Sequence, residues 1–106
     1  MELENLRVIS PQASLTLEAG RPWVLLPDTN LQTPAGIEVM DTLLCPQGDG
    51  SYVTRLLLQR RIAGKDNLNW QQAIALGRQW HTWSWNHIPA DQPWLKIFAE
   101  HARLLR

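Results

Sequence analysis

Cys45, His81, His87 and Asp91 are the side chains of this 106-residue chain whose types could do chemistry. A thiol attacks as its thiolate, which a nearby cation or helix N-terminus and access to water favour. Cys45 sits between Leu44 and Pro46 with no such help in its neighbourhood, so a packed strand-end cysteine is the favoured reading. A catalytic Cys45 assisted by His81 is the alternative. His81 and His87 could join Asp91 or Cys45 around a metal, but a spacing of six fits neither a helical i, i+4 pair nor a zinc-finger arrangement. No metal or other cofactor is therefore expected. His81 and Asn86 are instead expected to bond backbone groups of an irregular turn, with His87 on the surface and His101 on a solvated helix face.

His81 and His87 lie in the stretch from Asn67 to Asp91, which also holds four of the six tryptophans, Trp70, Trp80, Trp83 and Trp85. Each tryptophan brings a large apolar surface and one N–H donor, so it either plugs a core or builds a recognition surface. Clustered aromatics are also what interface hot spots are made of. Trp80, Trp83, Trp85, Asn86 and His87 are accordingly the candidate partner-binding residues.

The elements that must position them follow from length and pattern. A chain of 106 residues suits one domain, residues 1–106, with one core. Ten basic and ten acidic residues give zero net charge, which argues against a nucleic-acid binder and removes the repulsion that opposes self-association. A homo-oligomer is thus open. One cysteine excludes an intramolecular disulfide, and no signal peptide or membrane span stands out, so a soluble cytoplasmic protein is expected.

Leu6 to Ile9 and Leu15 to Leu17 read as short strands, and Pro22 to Pro27 as another brief run closed by its proline. Asp28 to Gly36 has the chemistry of a loop. Ile37 to Cys45 is the longest strand candidate, and it pairs through a turn over Pro46 to Gly50 with a strand from Tyr52 to Leu58. Asp41 interrupts an apolar face, and pairing with Arg55 across this hairpin would satisfy it. Arg60, Arg61 and Lys65 form a solvated basic connection. Trp70 to Gly77 has helix formers with Asn69 as cap, and a closing helix runs to the terminus with Asp91 as its cap. Strands first and helices last is the order of an α+β fold, an antiparallel meander packed on helices.

Val24-Leu25-Leu26-Pro27, Ile37 to Pro46, Tyr52 to Leu56, Asn69-Trp70 and above all Gly77-Arg78-Gln79-Trp80-His81-Thr82-Trp83-Ser84-Trp85-Asn86 carry a resemblance. Together these runs resemble the prokaryotic E2 family E proteins, a bacterial branch of the ubiquitin-conjugating superfamily, in a match that spans about residues 22–106. The resemblance implies an E2/UBC-like α+β fold, an antiparallel β-meander packed on C-terminal helices. It also implies protein partners among E1-like activating enzymes, JAB-type peptidases and ubiquitin-like proteins. The chain departs from familiar E2 enzymes in having no cysteine over Arg60 to Trp70, no His-Pro-Asn motif and a strand-like start lacking the N-terminal helix. The expected function is a divergent, non-catalytic E2-like module that binds proteins in a bacterial ubiquitin-like pathway. The alternatives are an active conjugating factor with Cys45 as thioester acceptor, or a homo-oligomeric structural or regulatory domain.

Overall fold

Alternation of apolar and polar side chains builds most of this molecule, because a strand shows successive residues to opposite faces of its sheet. The structure is a computed structural model in which residues 2–48, 50 and 52–106 are described. In chain order the elements are α1 (Glu2–Leu6), β1 (Ser14–Glu18), β2 (Arg21–Thr33), β3 (Gly36–Cys45), β4 (Arg55–Leu58), β5 (Trp70–Ala75), β6 (Arg78–Trp83) and α2 (Trp94–Arg103). The strands form one antiparallel sheet in the order β1-β2-β3-β4-β6-β5. With α2 closing the chain, the fold is α+β.

Several expectations are corrected. The segment Trp70 to Gly77 is not a helix: Trp70–Ala75 is β5, paired with β6 from Trp70↔Trp83 to Ala75↔Arg78. Its helix formers carry only a weak preference, which the ladder overrides. Leu76 and Gly77 both take positive φ (52° and 72°), the turn geometry whose twist matches a hairpin. The expected meander on several C-terminal helices is thus a six-stranded sheet with one such helix.

The start of the chain is helical rather than extended, so the expected lack of an N-terminal helix is also corrected. The five-residue α1 packs on α2, and the Glu2 carboxylate accepts the Trp94 N–H at 3.3 Å. Asp91 does not cap α2. Its N-cap is Pro93, which has no side chain to do so, and the carboxylate comes from the other end of the chain.

Most of the expected loop from Asp28 to Gly36 is strand. Pro27 and Asp28 are absorbed in a bulge between Leu26 and Thr29, where Asp28 has φ 53° and the Thr29 hydroxyl donates to the Leu26 carbonyl at 2.7 Å. Only Pro34 and Ala35 remain as the turn into β3. In the following hairpin, Asp49 of the expected turn lies outside the described residues. β4 begins at Arg55 rather than Tyr52, because the Val53 N–H donates to the Asn86 side chain.

The sheet is buried on both faces. On one, Val24, Leu26, Leu44, Leu56, Leu58 and Trp83 pack with Leu6 and with Ile97, Phe98 and Leu105 of the C-terminal segment. On the other, Trp23, Leu43, Cys45, Leu57, Ala75 and Trp80 form a second cluster. Neither helix contributes to it, and polar side chains shield it instead. The Arg78 guanidinium lies 4.4 Å from the Trp80 ring centre and bonds Asp41 at 3.2 Å. Asp41 is therefore satisfied by Arg78 and by the Asp28 N–H (3.1 Å), not by Arg55. The register explains this: Thr42↔Leu58 and Cys45↔Arg55 put Arg55 four positions along from Asp41. Among the described residues no helix is long and apolar enough to cross a membrane.

The β1–β2 turn gives a prediction. Ala19 holds φ 55°, a region that costs an L-residue roughly 1–2 kcal/mol and that asparagine enters more readily. Its side chain is exposed, so no packing is at stake. Ala19→Asn should raise the urea midpoint, with a gain of up to about 1 kcal/mol and an unchanged m-value.

Candidate partner-binding surface

The aromatic run after the β5–β6 turn is divided by the sheet. Trp80 and Trp83 lie three positions apart in β6, so they point to opposite faces, and both are buried. Trp80 donates its Nε1–H to the Ala75 carbonyl at 3.0 Å in the second cluster. Trp83 meets Trp70 edge-on at a centroid distance of 5.6 Å and His101 at 6.1 Å. A partner docking on the folded chain would touch neither Trp80 nor Trp83.

Beyond Trp83 the chain leaves the ladder and runs beside residues 52–54, held by three side-chain bonds. The hydroxyls of Tyr52 and Ser84 share one at 2.9 Å. Asn86 Oδ1 accepts the Val53 N–H at 2.7 Å, and the Thr54 hydroxyl donates to the Ile88 carbonyl at 2.8 Å. Asn86 thus bonds a backbone group, as its residue type suggested. The segment 84–88 is fixed although it belongs to no strand.

This fixing presents Trp85 and His87 to solvent. Their rings meet edge-on at 4.8 Å, and Trp85 remains 38 % exposed beside Val53 at 45 %. Val53, Asn86, His87, Ile88 and Pro89 line a cleft of about 260 Å³, with no aspartate, glutamate, lysine or arginine among the described residues of its wall. Of the sequence-predicted surface, Trp85, Asn86 and His87 therefore come together outside. Sequence reasoning missed Val53, Ile88 and Pro89, of which Val53 is tied to the group by its bond to Asn86.

Cys45 is fully buried in the second cluster, where its Sγ–H points to the Gly48 carbonyl at 2.9 Å. His81 follows Trp80 in β6 and so faces the other side of the sheet, opposite Leu58 and Gln72. The sheet backbone separates the thiol from the imidazole. His81 lines a smaller cleft of about 120 Å³ with Arg61, Trp70, Gln71 and Gln72, and its Nδ1 is buried with no hydrogen-bond partner among the described residues. It does not make the turn-stabilising bond expected of it. Among the described residues no three histidine, cysteine or acidic side chains converge as a metal centre would require.

His101 departs furthest from expectation. It is buried rather than solvated, because it lies on the inner face of α2 with Ile97 and Phe98. The Thr54 hydroxyl has given its proton to Ile88, so His101 Nε2, at 2.9 Å, is the donor to Thr54 Oγ1. Nδ1 is left as a bare lone pair with no partner among the described residues. Protonation would put a buried N–H cation where nothing accepts it, and burial lowers the pKa from 6.5 to about 4. Comparison with family models, with curated proteins and with solved structures gives no match to this chain.

The His101 shift has a definite sign. Between about 4 and 6.5 the unfolded chain binds a proton that the native protein refuses, so stability rises with pH across that window. Above 6.5 the group has no effect on stability. Acidification from about pH 7 to about pH 4 should cost about 3 kcal/mol through this residue. His101→Gln keeps a donor for Thr54 and cannot titrate. Urea unfolding should show this variant losing less stability than the wild type over the same interval, by about that amount.

Proposed function

We propose that this chain is a non-catalytic E2-like module that binds a protein partner through Trp85, His87 and the Val53–Pro89 cleft, within a bacterial, cytoplasmic ubiquitin-like pathway. The observation that carries the reading is the exposed Trp85–His87 pair on a rigidly tied segment. An aromatic anchor that is already ordered loses little conformational freedom on binding, which is the economy of an interface hot spot. The E2-like assignment rests on the resemblance of the Gly77 to Asn86 run and on the α+β order of elements. The buried thiol of Cys45 weighs against the conjugating-factor alternative, since an acceptor must meet an incoming thioester. The partner is a ubiquitin-like protein or its E1-like enzyme, which would seat an apolar side chain in the cleft beside Val53, Ile88 and Pro89.

Two measurements test this. In the native protein Cys45 should react with a thiol reagent at least about a hundredfold more slowly than in denaturant, because modification waits on opening of the core. Rapid native reaction, or a thioester formed with an E1-like enzyme and ATP, would overturn the non-catalytic reading. For binding, the six indole N–H signals serve as reporters during titration with a ubiquitin-like protein or an E1-like enzyme. The Trp85 signal should move while those of Trp80 and Trp83 stay, and Trp85→Ala should weaken binding about tenfold or more. Unchanged affinity in Trp85→Ala would remove this surface from the interface.

A further inference from the structure

We infer that β1 pairs antiparallel with β1 of a second copy, joining two sheets across a twofold axis with Leu15 of each copy opposite Leu17 of the other. The inference stands apart from the E2-like reading and uses none of the Trp85 surface. β1 is an outer strand of the sheet, and all five of its residues, Ser14 to Glu18, are exposed. It carries no proline, lysine or bulge, the devices that usually blunt such an edge. Leu15 and Leu17, 44 % and 69 % exposed, stand on one side of it.

The hydrogen-bond parity fixes which groups are available. The turn Ala19-Gly20, with positive φ at both residues, closes on Glu18↔Arg21, so Glu18, Thr16 and Ser14 turn their N–H and C=O toward β2. Those of Leu15 and Leu17 point outward, and outside the ladder none of them meets a partner among the described residues. The edge ends sharply on both sides. The next outward residue, Ala13, already donates its N–H to the Ser10 carbonyl at 2.9 Å and accepts Arg7 Nε at 3.2 Å. On the other side Ala19 has left the extended region, with φ 55°.

Only one register uses what remains. Centring the pair on Leu15 would oppose Leu17 to the occupied Ala13, and centring it on Leu17 would oppose Leu15 to the turn residue Ala19. Centring it on Thr16 matches Leu15 with Leu17 in both directions, giving four backbone hydrogen bonds and a cluster of four leucines. Ser14 then faces Glu18, so no like charges oppose each other, and the neutral chain adds no general repulsion. The opposite edge is less suited: β5 paired with itself by the same parity would set Gln72 against Ile74, polar against apolar. A five-residue contact lies at the small end of specific interfaces, so the dimer dissociates on dilution.

The register makes a sharp test possible. Thr16 of one copy and Thr16 of the other form a non-hydrogen-bonded pair, with Cα atoms about 4.5 Å apart, within disulfide reach. The native Cys45 is buried and does not interfere. Under mild oxidation of the native protein, Thr16→Cys should cross-link into a dimer at least about tenfold faster than Leu15→Cys, whose sulfur meets Leu17 instead. Sedimentation should show a concentration-dependent dimer. Leu17→Lys, at a position already exposed and so harmless to the monomer, should raise the dissociation constant about tenfold or more. A wild-type chain that stays monomeric up to about 1 mM, or a Leu17→Lys dimer of undiminished affinity, overturns the pairing. Equal cross-linking of the two cysteine variants overturns the register.

Discussion

The buried hydroxyl of Thr54 joins three parts of the chain that also share the main core cluster. It donates to the Ile88 carbonyl and receives the His101 N–H, so the entry to β4, the end of the aromatic segment and the inner face of α2 meet at one atom. Each bond is made where water is excluded, and losing the hydroxyl would strand a carbonyl and an imidazole N–H at once. The direction of segment 84–88 across the surface, and hence the outward placement of Trp85 and His87, depends on this anchor together with the Tyr52–Ser84 and Val53–Asn86 bonds. The acid sensitivity of the fold depends on it too, because the same bond sets the His101 tautomer.

A second constraint is the two-sided burial of the sheet with helices on only one side. The face that packs on α1 and α2 is covered in the usual way for α+β proteins. The other face is closed by long side chains: Arg78 over Trp80, tied to Asp41, and Arg55 bonded to Gln71 and set 4.1 Å from the Tyr52 ring centre. Guanidinium groups suit this role, since their planes stack on aromatic rings while their edges keep polar partners. Cys45 is sealed beneath this layer, so its chemistry is limited by packing rather than by its residue type.

The sheet also leaves strand edges at both ends, and they differ. On β5 the outward Trp70 N–H is already turned back to the Leu68 carbonyl at 2.9 Å, whereas on β1 two leucines and their backbone groups meet solvent. The site proposed for a partner and the edge proposed for self-pairing share no residue. One is built from side chains on a fixed segment, the other from backbone.

The sequence by itself determined the α+β class, the β3 strand and the closing helix, because alternation and periodicity are local properties, but it grouped the buried Trp80 and Trp83 with Trp85, Asn86 and His87 as one surface. It misread Trp70–Ala75 as helix and the start of the chain as strand, since short segments have weak preferences that pairing and packing overrule. Tertiary structure alone decided that Asp41 meets Arg78 rather than Arg55, that Glu2 caps α2, and that His101 is buried. It also decided that Cys45 and His81 face opposite sides of the sheet. Those outcomes turn on ladder register and on contacts between distant parts of the chain. A one-residue change of register reverses every side chain, and no local pattern encodes it.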